Sequence, residues 1–265
     1  MTSPVRGKIL NKSADSLAAK WASNGMKAAD VSLALLKLGT PEKAKASAWF
    51  FKTGPGQYGH GDKFLGVSVP EQRKIARQFK DLPLSEAEKL IISPWHEERL
   101  TGLFILVSQY KNGDEVAQRD IYNFYIGHTK NINNWDLVDS SASYIVGPWL
   151  ENKPQKMKTL EKLAKSDLLW DRRIAMISTL YYISCGSSKE ALKIAEILLN
   201  DKHNLIQKAV GWTLREVGKR VSRQDLTSFL AQHADSMPRT ALRYSIEHFK
   251  PEQRSYYSKL AKAKS

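Results

Sequence analysis

The stretch that starts at Trp135 reads Trp-Asp-Leu-Val-Asp-Ser-Ser-Ala-Ser-Tyr-Ile-Val, and its outline returns along the chain. Trp95 begins Trp-His-Glu-Glu-Arg-Leu-Thr-Gly-Leu-Phe-Ile-Leu, and Trp170 begins Trp-Asp-Arg-Arg-Ile-Ala-Met-Ile-Ser-Thr-Leu. Leu205 and Pro238 open two further copies, so successive copies start 40, 35, 35 and 33 residues apart. Helical spacing of apolar residues with a period of this length is typical of stacked helix pairs, such as HEAT or armadillo repeats.

Second helices are predicted between these copies, at Val116 to Ile126, Met157 to Ala164 and Ala191 to Leu199. The part of the chain before Trp95 is also helical in pattern. Amphipathic segments occur there at Ser16 to Trp21, Val31 to Leu36 and Ala44 to Phe51. Three helix starts are marked by proline or by a cap followed by an acid, at Pro41-Glu42, Pro70-Glu71 and Ser85-Glu86.

These patterns predict an all-α fold, a HEAT-like helix-pair solenoid in which one helix of each pair lines a concave basic groove. Persuasive alternating strand segments are lacking. We expect a single domain over residues 1–265, with the clearest repeats at 93–250 and a flexible basic N-terminus at 1–12.

Composition indicates a globular protein with a polyanionic partner. Apolar residues make up 42% of the 265 residues, and Lys and Arg outnumber Asp and Glu by 41 to 27, a net charge of +14. Such an excess favours nucleic acid, although a basic but inert surface is the alternative. No apolar run reaches membrane-spanning length and Met1 to Leu10 has no signal-peptide pattern. We therefore expect a soluble cytoplasmic protein, nucleoid-associated in a bacterium, and a monomer.

The only cysteine, Cys185, excludes an internal disulfide and fits a reducing compartment. Its context, Tyr-Tyr-Ile-Ser-Cys, favours a buried structural thiol over a catalytic one. The six histidines show no metal-ligand spacing, and no Ser-His-Asp or Cys-His arrangement can be argued. The sequence thus predicts no metal and no cofactor.

Aligning the five copies brings one column of charged residues together. It contains four basic residues and one acid, in the order Arg99, Asp139, Arg173, Lys208 and Arg239. Basic groups at successive repeats predict a cradle for a phosphate backbone. An acid in that cradle repels phosphate, so its presence calls for a reason beyond affinity.

Asp139 has two ordinary explanations beside a functional one. It could satisfy helix N-terminal amides, or it could pair with Arg173. Asp136, at the start of the first turn, is the better candidate for capping, which leaves Asp139 for the groove. Trp135 lies four residues before Asp139 and therefore shares its helix face, and an aromatic plane beside a carboxylate suits a cation.

The seven tryptophans mostly predict packing, and Trp95, Trp135 and Trp170 recur at one repeat position. Trp212 does not follow that column. It comes after Gly211, which allows close backbone approach, and core packing and function are equally open for it.

A glycine-rich segment from Thr53 to Gly66 lacks the Gly-Lys-Ser/Thr of a Walker loop. We interpret it as a long flexible loop between helices that could touch a ligand.

The chain resembles the AlkD-like DNA alkylation repair glycosylases, which are built of HEAT-like repeats, over roughly Ala44 to Phe249. Four pieces together carry the resemblance: Asp-Lys-Phe-Leu-Gly-Val from Asp62, Asn-Trp-Asp-Leu-Val-Asp from Asn134, Leu-Trp-Asp-Arg-Arg from Leu169, and Ile-Gln-Lys-Ala-Val-Gly-Trp-Thr-Leu-Arg-Glu from Ile206.

The resemblance implies a monofunctional DNA N-glycosylase of base excision repair that acts on double-stranded DNA. Its substrates would be cationic N3- and N7-alkylated purines, of the 3-methyladenine and 7-methylguanine type, held without a base-flipping pocket. By the same resemblance Trp135, Asp139 and Trp212 are the catalytic residues, and Arg173 holds a phosphate beside the lesion. With the basic column, the predicted DNA contacts are Arg99, Arg173, Lys208, Arg239 and Arg243.

Two observations leave alternatives open. The loop from Gly54 to Gly61 is longer than is usual in the family, and related branches keep the fold but prefer branched or structured DNA without glycosylase activity. A non-catalytic module that binds DNA, or a protein-binding scaffold, is therefore the alternative. Retention of Trp135, Asp139, Arg173 and Trp212 favours the enzyme.

Overall fold

Fifteen helices form the regular structure of residues 25–260, the part of the chain that this computed structural model describes. They are α1 (Ala28–Leu36), α2 (Pro41–Phe50), α3 (Val69–Gln78), α4 (Leu84–Ile91), α5 (His96–Asn112), α6 (Glu115–Gly127), α7 (Trp135–Asp139), α8 (Ala142–Leu150), α9 (Lys156–Ala164), α10 (Leu169–Ser184), α11 (Lys189–Ile197), α12 (Asn204–Arg220), α13 (Arg223–His233), α14 (Arg239–Ser245) and α15 (Pro251–Leu260). Within residues 25–260 there is no strand, only an isolated bridge between Lys63 and Trp95. The all-α prediction is confirmed. The helix predicted at Ser16 to Trp21 and the basic segment 1–12 lie outside the described residues.

The chain divides into two compact units, Met1–Ile105 and Leu106–Ser265, with the boundary inside α5. In the first unit, α1 packs against α3 and α4. Val31 and Leu35 of α1 are completely buried there. The expectation of a single domain over residues 1–265 stays a prediction.

The second unit is built as a succession of helix pairs. Helices α8, α10, α12 and α14 follow one another, each packed against the next. Helices α9 and α11 pack on α10, and α13 packs on α12. The predicted second helices correspond to α6, α9 and α11, so the helical-repeat architecture read from the sequence period is confirmed.

The predicted helix starts are confirmed to within a residue. Helix α2 begins at Pro41, and the Thr40 hydroxyl accepts a hydrogen bond from the Lys43 amide. Helix α3 begins one residue earlier than predicted, because Ser68 and Glu71 form a capping box. Helix α4 begins at Leu84 without a side-chain cap.

Helices α12 and α14 approach each other closely at Gly211. A Cβ built on Gly211 would lie 2.4 Å from the Ala241 carbonyl oxygen and 2.5 Å from the Tyr244 Cβ. Both neighbours belong to α14 and cannot move without displacing it. The close approach predicted from the Gly-Trp pair is therefore confirmed, and it fixes the spacing of the two helices beside Trp212.

We expect Gly211→Ala to lower the free energy of unfolding by about 1–3 kcal/mol, because the added methyl group overpacks this contact. Gly127→Ala is the matched control, since a Cβ on Gly127, at the end of α6, meets nothing within 4 Å. Chemical denaturation of both variants measures the difference. Equal stabilities would show that α14 yields freely and would contradict the packing assigned to Gly211.

The expectation of a buried Cys185 is wrong. Helix α10 ends at Ser184, Cys185 is its C-cap, and the thiol-bearing residue is exposed. The apolar context extends only to Tyr182 and Ile183, which are buried on the last turn.

Candidate active site

Helix α7 is only five residues long, and Asn134 rather than Asp136 is its cap. The Asn134 side-chain oxygen accepts a hydrogen bond from the Trp135 amide at 2.8 Å. Asp136 follows as the second residue of the helix, in the first turn. The capping role expected for Asp136 thus belongs to its completely buried neighbour Asn134.

The helix breaks immediately after Asp139, whereas the sequence pattern predicts one continuous helix from Trp135. The Ser141 hydroxyl donates to the Leu137 carbonyl at 2.5 Å and is joined to the Tyr125 hydroxyl at 2.9 Å. Serine hydroxyls that bond to the backbone in this way compete with the helical ladder. Asp139 is consequently the last residue of α7, where the helix dipole is negative, and the carboxylate does not serve an N-terminus.

The Asp139 carboxylate is held by Arg173, which lies on α10. Arg173 Nε donates to Asp139 Oδ1 at 2.8 Å, and Arg173 Nη2 donates to Asp139 Oδ2 at 2.7 Å. Arg173 Nη1 donates to the Leu205 carbonyl at 2.6 Å, in the first turn of α12. Of the two ordinary explanations for Asp139, pairing with Arg173 is therefore the one that the structure contains.

The pair is unequally exposed. The Arg173 side chain is 6% exposed and the Asp139 side chain 18% exposed. A carboxylate has about four lone-pair positions and the bidentate contact occupies two of them. Asp139 therefore keeps accepting capacity on a surface that solvent can reach.

Burial raises the pKa of the Asp139 carboxyl above its usual range. The Arg173 guanidinium opposes this rise, and the negative charge of Asp136 adds to it. Burial thus removes part of the solvation of the charged carboxylate, and the ion pair with Arg173 favours that charged form.

The Leu-Trp-Asp-Arg-Arg motif has a different task for each residue. Trp170 is buried, with 5% of its surface exposed. Asp171, in the first turn of α10, accepts a hydrogen bond at 2.7 Å from the hydroxyl of Ser166, which lies just before the helix. Arg172 Nε donates to Asp201 Oδ2 at 2.7 Å. Only Arg173 is directed toward Asp139.

The Asp201 carboxylate, which accepts from Arg172, also bonds to the start of α12, and these contacts together form a brace between α10 and α12. Its Oδ1 accepts from the His203 amide at 2.8 Å, and His203 Nδ1 in turn accepts from the Leu205 amide at 3.2 Å. Burial lowers the pKa of His203, the Asp201 carboxylate opposes this shift, and the neighbouring Arg172 and Arg173 add to it. The brace fixes the Leu205 carbonyl at the position where Arg173 donates to it.

Trp135 and Trp212, the two tryptophans predicted to be catalytic, are both half-buried. Trp135 opens α7, and Trp212 lies on α12 directly after the close approach at Gly211. Both α7 and α12 pack on α10, which carries Arg173. Trp170, which shares the repeat position of Trp135, is by contrast buried as a packing residue.

The predicted DNA-binding residues of the second unit differ in exposure. Lys208 is half-buried on α12, while Arg239 and Arg243 are exposed on α14, four residues apart and hence on one face. Arg173 points into the protein, to Asp139 and the Leu205 carbonyl, which is the geometry of a positioning residue.

Arg99 lies in the first unit and is 4% exposed. Its Nη2 donates to Asp62 Oδ1 at 2.6 Å and its Nη1 to the Ser93 carbonyl at 2.7 Å. In this arrangement the Arg99 guanidinium joins the Asp62 carboxylate to the backbone at Ser93, and its contact with a phosphate stays a prediction.

The last part of the glycine-rich segment is pinned to the start of α5. Lys63 bonds through its backbone to Pro94 and His96, at 3.1 and 2.8 Å. The Glu97 carboxylate accepts from the backbone amides of the next residues, which are Leu65, Gly66 and Val67. The expectation of a flexible loop is therefore wrong for 62–66, and residues 62–67, the Asp-Lys-Phe-Leu-Gly-Val piece, are bonded to the start of α5.

The groups that hold the end of α7 and the Arg173 side chain beside Asp139 were not predicted from the sequence. Tyr125 and Ser141 are completely buried and bonded to each other at the helix break. The Leu205 carbonyl is main chain and carries no residue-type signal. The Ser-Ser pair after Asp139 was the one available sign of a helix break.

No group of three or more His, Cys, Asp or Glu side chains is arranged to hold a metal ion within residues 25–260. None of the helices in that range has the length and apolar character needed to cross a membrane.

Comparison with known proteins gives a family match. The sequence model of the family described as DNA alkylation repair enzyme matches residues 31–249. No curated protein matches the chain. Among solved structures, a predicted DNA alkylation repair enzyme from Enterococcus faecalis is similar in fold, with a TM-score of 0.62 and 17% identity over 80% of this chain and 97% of that one. The match to the family model spans most of the sequence, and the chain therefore belongs to the DNA alkylation repair enzyme family.

Proposed function

We propose that the protein is a monofunctional DNA N-glycosylase that removes cationic N3- and N7-alkylated purines from double-stranded DNA. Membership of the DNA alkylation repair enzyme family supports a role in alkylation repair. The observation that carries the finer proposal is Asp139, a partly exposed carboxylate that Arg173 holds in a fixed orientation in a chain of net charge +14. Pairing with Arg173 accounts for the buried side of this carboxylate, and the proposed chemistry uses the side that remains exposed.

The proposed chemistry begins with a base that already carries a positive charge and leaves without being protonated. Breaking the glycosidic bond makes the deoxyribose resemble an oxocarbenium cation. Asp139 stabilises that cation through its charge, positions the attacking water with its remaining lone pairs, and accepts the proton that the water loses as it bonds to the sugar carbon. Arg173 keeps the carboxylate in place before the reaction, so no reorganisation is needed during it.

Trp135 and Trp212 complete the proposed site. Both are half-buried, so one part of each ring is held by the protein and the rest is available to a ligand. Packed against the deoxyribose, their faces favour a sugar cation through the ring quadrupole. Neither role requires a pocket that encloses the base.

Lys208, Arg239 and Arg243 are the proposed contacts to the DNA backbone, and the protein is proposed to act as a monomer without a cofactor. The concave groove expected from the repeats is their proposed setting. Arg239 and Arg243 are exposed. Phosphate contacts of this kind hold the duplex and set its register without reading its sequence.

The proposal predicts a shifted acid limb in the pH profile of base release. Asp139 acts as a carboxylate, and burial raises its pKa, so activity falls as pH decreases through a value above the usual aspartate range. Arg173→Ala removes the group that opposes this rise, so its acid limb moves to higher pH. Single-turnover rates of 7-methylguanine release across pH, less the rate without protein, measure both profiles.

Arg173→Lys is the matched control, because lysine keeps the positive charge but cannot donate the paired hydrogen bonds. Its acid limb should stay near that of the wild type while its rate falls. Identical limbs for the wild type and Arg173→Ala would remove Asp139 as the titrating group.

A non-catalytic DNA-binding module is distinguished by one comparison. Such a module would bind DNA with a log–log salt slope of roughly −0.9 per phosphate contacted and would release no base. A protein-binding scaffold would show neither property. Salt-dependent binding together with release of 7-methylguanine from methylated DNA supports the glycosylase.

A further inference from the structure

The end of helix α2 presents two large apolar side chains to solvent. Trp49 is 75% exposed and Phe50 is 54% exposed, and no residue of α2 is buried. The function proposed above makes no use of either side chain. Exposed aromatic residues side by side are a feature of binding surfaces.

The residue that ends helix α2, Phe51, is held by aromatic packing. Phe51, the C-cap of α2, stacks on Phe64 with ring centroids 5.3 Å apart and an angle of 12° between the rings. The His96 ring packs on both of them, with centroids 4.7 Å away in each case. His96 is only 2% exposed, and its Nδ1 lies 3.2 Å from Asp62 Oδ2. Trp49 and Phe50 are therefore exposed beside a residue that packing holds in place.

Lys52 occupies a backbone conformation that favours glycine. Its φ is 57°, and it is the one non-glycine residue among residues 25–260 with a positive φ. The loop closes tightly on it: the Gly59 amide donates to the Lys52 carbonyl at 3.1 Å, and a Cβ on Gly59 would lie 2.3 Å from the Phe51 carbonyl oxygen. This is the position after the C-cap of α2 in a Schellman motif, in which the Lys52 amide donates to the Trp49 carbonyl and the Thr53 amide to the Ala48 carbonyl, both at 3.3 Å.

The Lys52 side chain returns to the exposed tryptophan. Its Nζ lies 4.9 Å from the centroid of the Trp49 ring. Helix α2 carries two more lysines, Lys43 and Lys45, against one acid, Glu42. The surface therefore combines aromatic rings with positive charge, which matches the bases and phosphates of a nucleic acid strand better than an apolar protein surface.

We propose that Trp49, Phe50 and Lys52 form a stacking platform for an unpaired base of a DNA strand. Bases within a duplex offer only their edges, whereas an unpaired base offers a face that an exposed ring can stack on. Lys52 then contacts the phosphate next to the stacked base. The inference rests on the proposed function only in taking DNA as the ligand.

Binding of a labelled single-stranded oligonucleotide and of the blunt duplex of the same sequence, followed by fluorescence anisotropy, tests the platform. Trp49→Ala and Trp49→Leu should weaken binding of the single strand about 5- to 100-fold. Binding of the duplex should change less than about 2-fold. Leucine keeps apolar surface without a ring, so wild-type affinity in Trp49→Leu would overturn the proposal, as would an equal loss on both DNA forms.

Leu36→Ala is the matched control, because Leu36 is 62% exposed in the same unit and has no ring. It should bind both DNA forms as the wild type does. Lys52→Ala should reduce the log–log salt slope for the single strand by about 0.7, one phosphate contact, and an unchanged slope would remove Lys52 from the platform.

The platform and the proposed function fail separately. A wild type that releases no 7-methylguanine counts against the glycosylase alone, whereas normal release with unaltered single-strand binding in the Trp49 variants counts against the platform alone.

Discussion

Asp139→Asn is expected to lower the rate of 7-methylguanine release by a factor of about 10²–10³. Asparagine has nearly the same shape and keeps an oxygen that can accept from Arg173, but it has no charge to stabilise a sugar cation. The affinity for DNA should stay the same or increase, because a group that repels phosphate has been removed. A slower reaction combined with undiminished binding distinguishes loss of chemistry from loss of the complex.

Asp136→Asn is the matched control for this variant. Asp136 lies on the same short helix and contributes to the raised pKa of Asp139, yet no catalytic role is assigned to it. Its rate should remain close to that of the wild type. Thermal unfolding of both variants checks the fold, because Asp139→Asn also weakens a nearly buried ion pair. A large loss of activity in Asp136→Asn and none in Asp139→Asn would invert the assignment.

Neutral lesions are expected not to be excised, and uracil is the clearest case. A neutral base is a poor leaving group and needs a proton, or strong hydrogen bonds, as it departs. The residues proposed for this site are a carboxylate and two tryptophans, none of which supplies an acid to the base. Release of uracil should therefore be indistinguishable from the rate without protein, while release of 7-methylguanine is readily measured.

Duplexes that carry one uracil or one 7-methylguanine in the same sequence provide the comparison. Both should bind with similar affinity, because the proposed backbone contacts do not depend on the base. Efficient release of uracil by the purified protein would overturn the cation-based mechanism, even with Asp139 in place.

The sequence predicted the repeat well because each copy carries its own signals. The spacing from Trp135 to Trp170 and onward predicted the succession of helices, and proline and capping signals located the starts of α2, α3 and α4 before the repeats. The close approach at Gly211 was also predicted, since only a glycine permits it.

Contacts between distant segments were harder to predict. Aligning the repeats placed Arg99 in the same column as Arg173, but Arg99 has a buried partner, Asp62, that lies in a loop outside the repeat pattern. The column likewise did not predict that Arg173 donates hydrogen bonds both to the Asp139 carboxylate and to the Leu205 carbonyl. A repeat period predicts the position of a residue on its helix, whereas the partner of its side chain depends on tertiary packing.

Direct detection of released base is the sharpest test of the central claim that Asp139 serves a sugar cation. Purified protein in excess over methylated duplex DNA is assayed for 7-methylguanine in solution, and DNA affinity is measured on the same samples. The account predicts that the wild type releases the base and that Asp139→Asn binds the DNA but releases almost none. Release at the wild-type rate by Asp139→Asn, or tight binding without any release by the wild type, would contradict it.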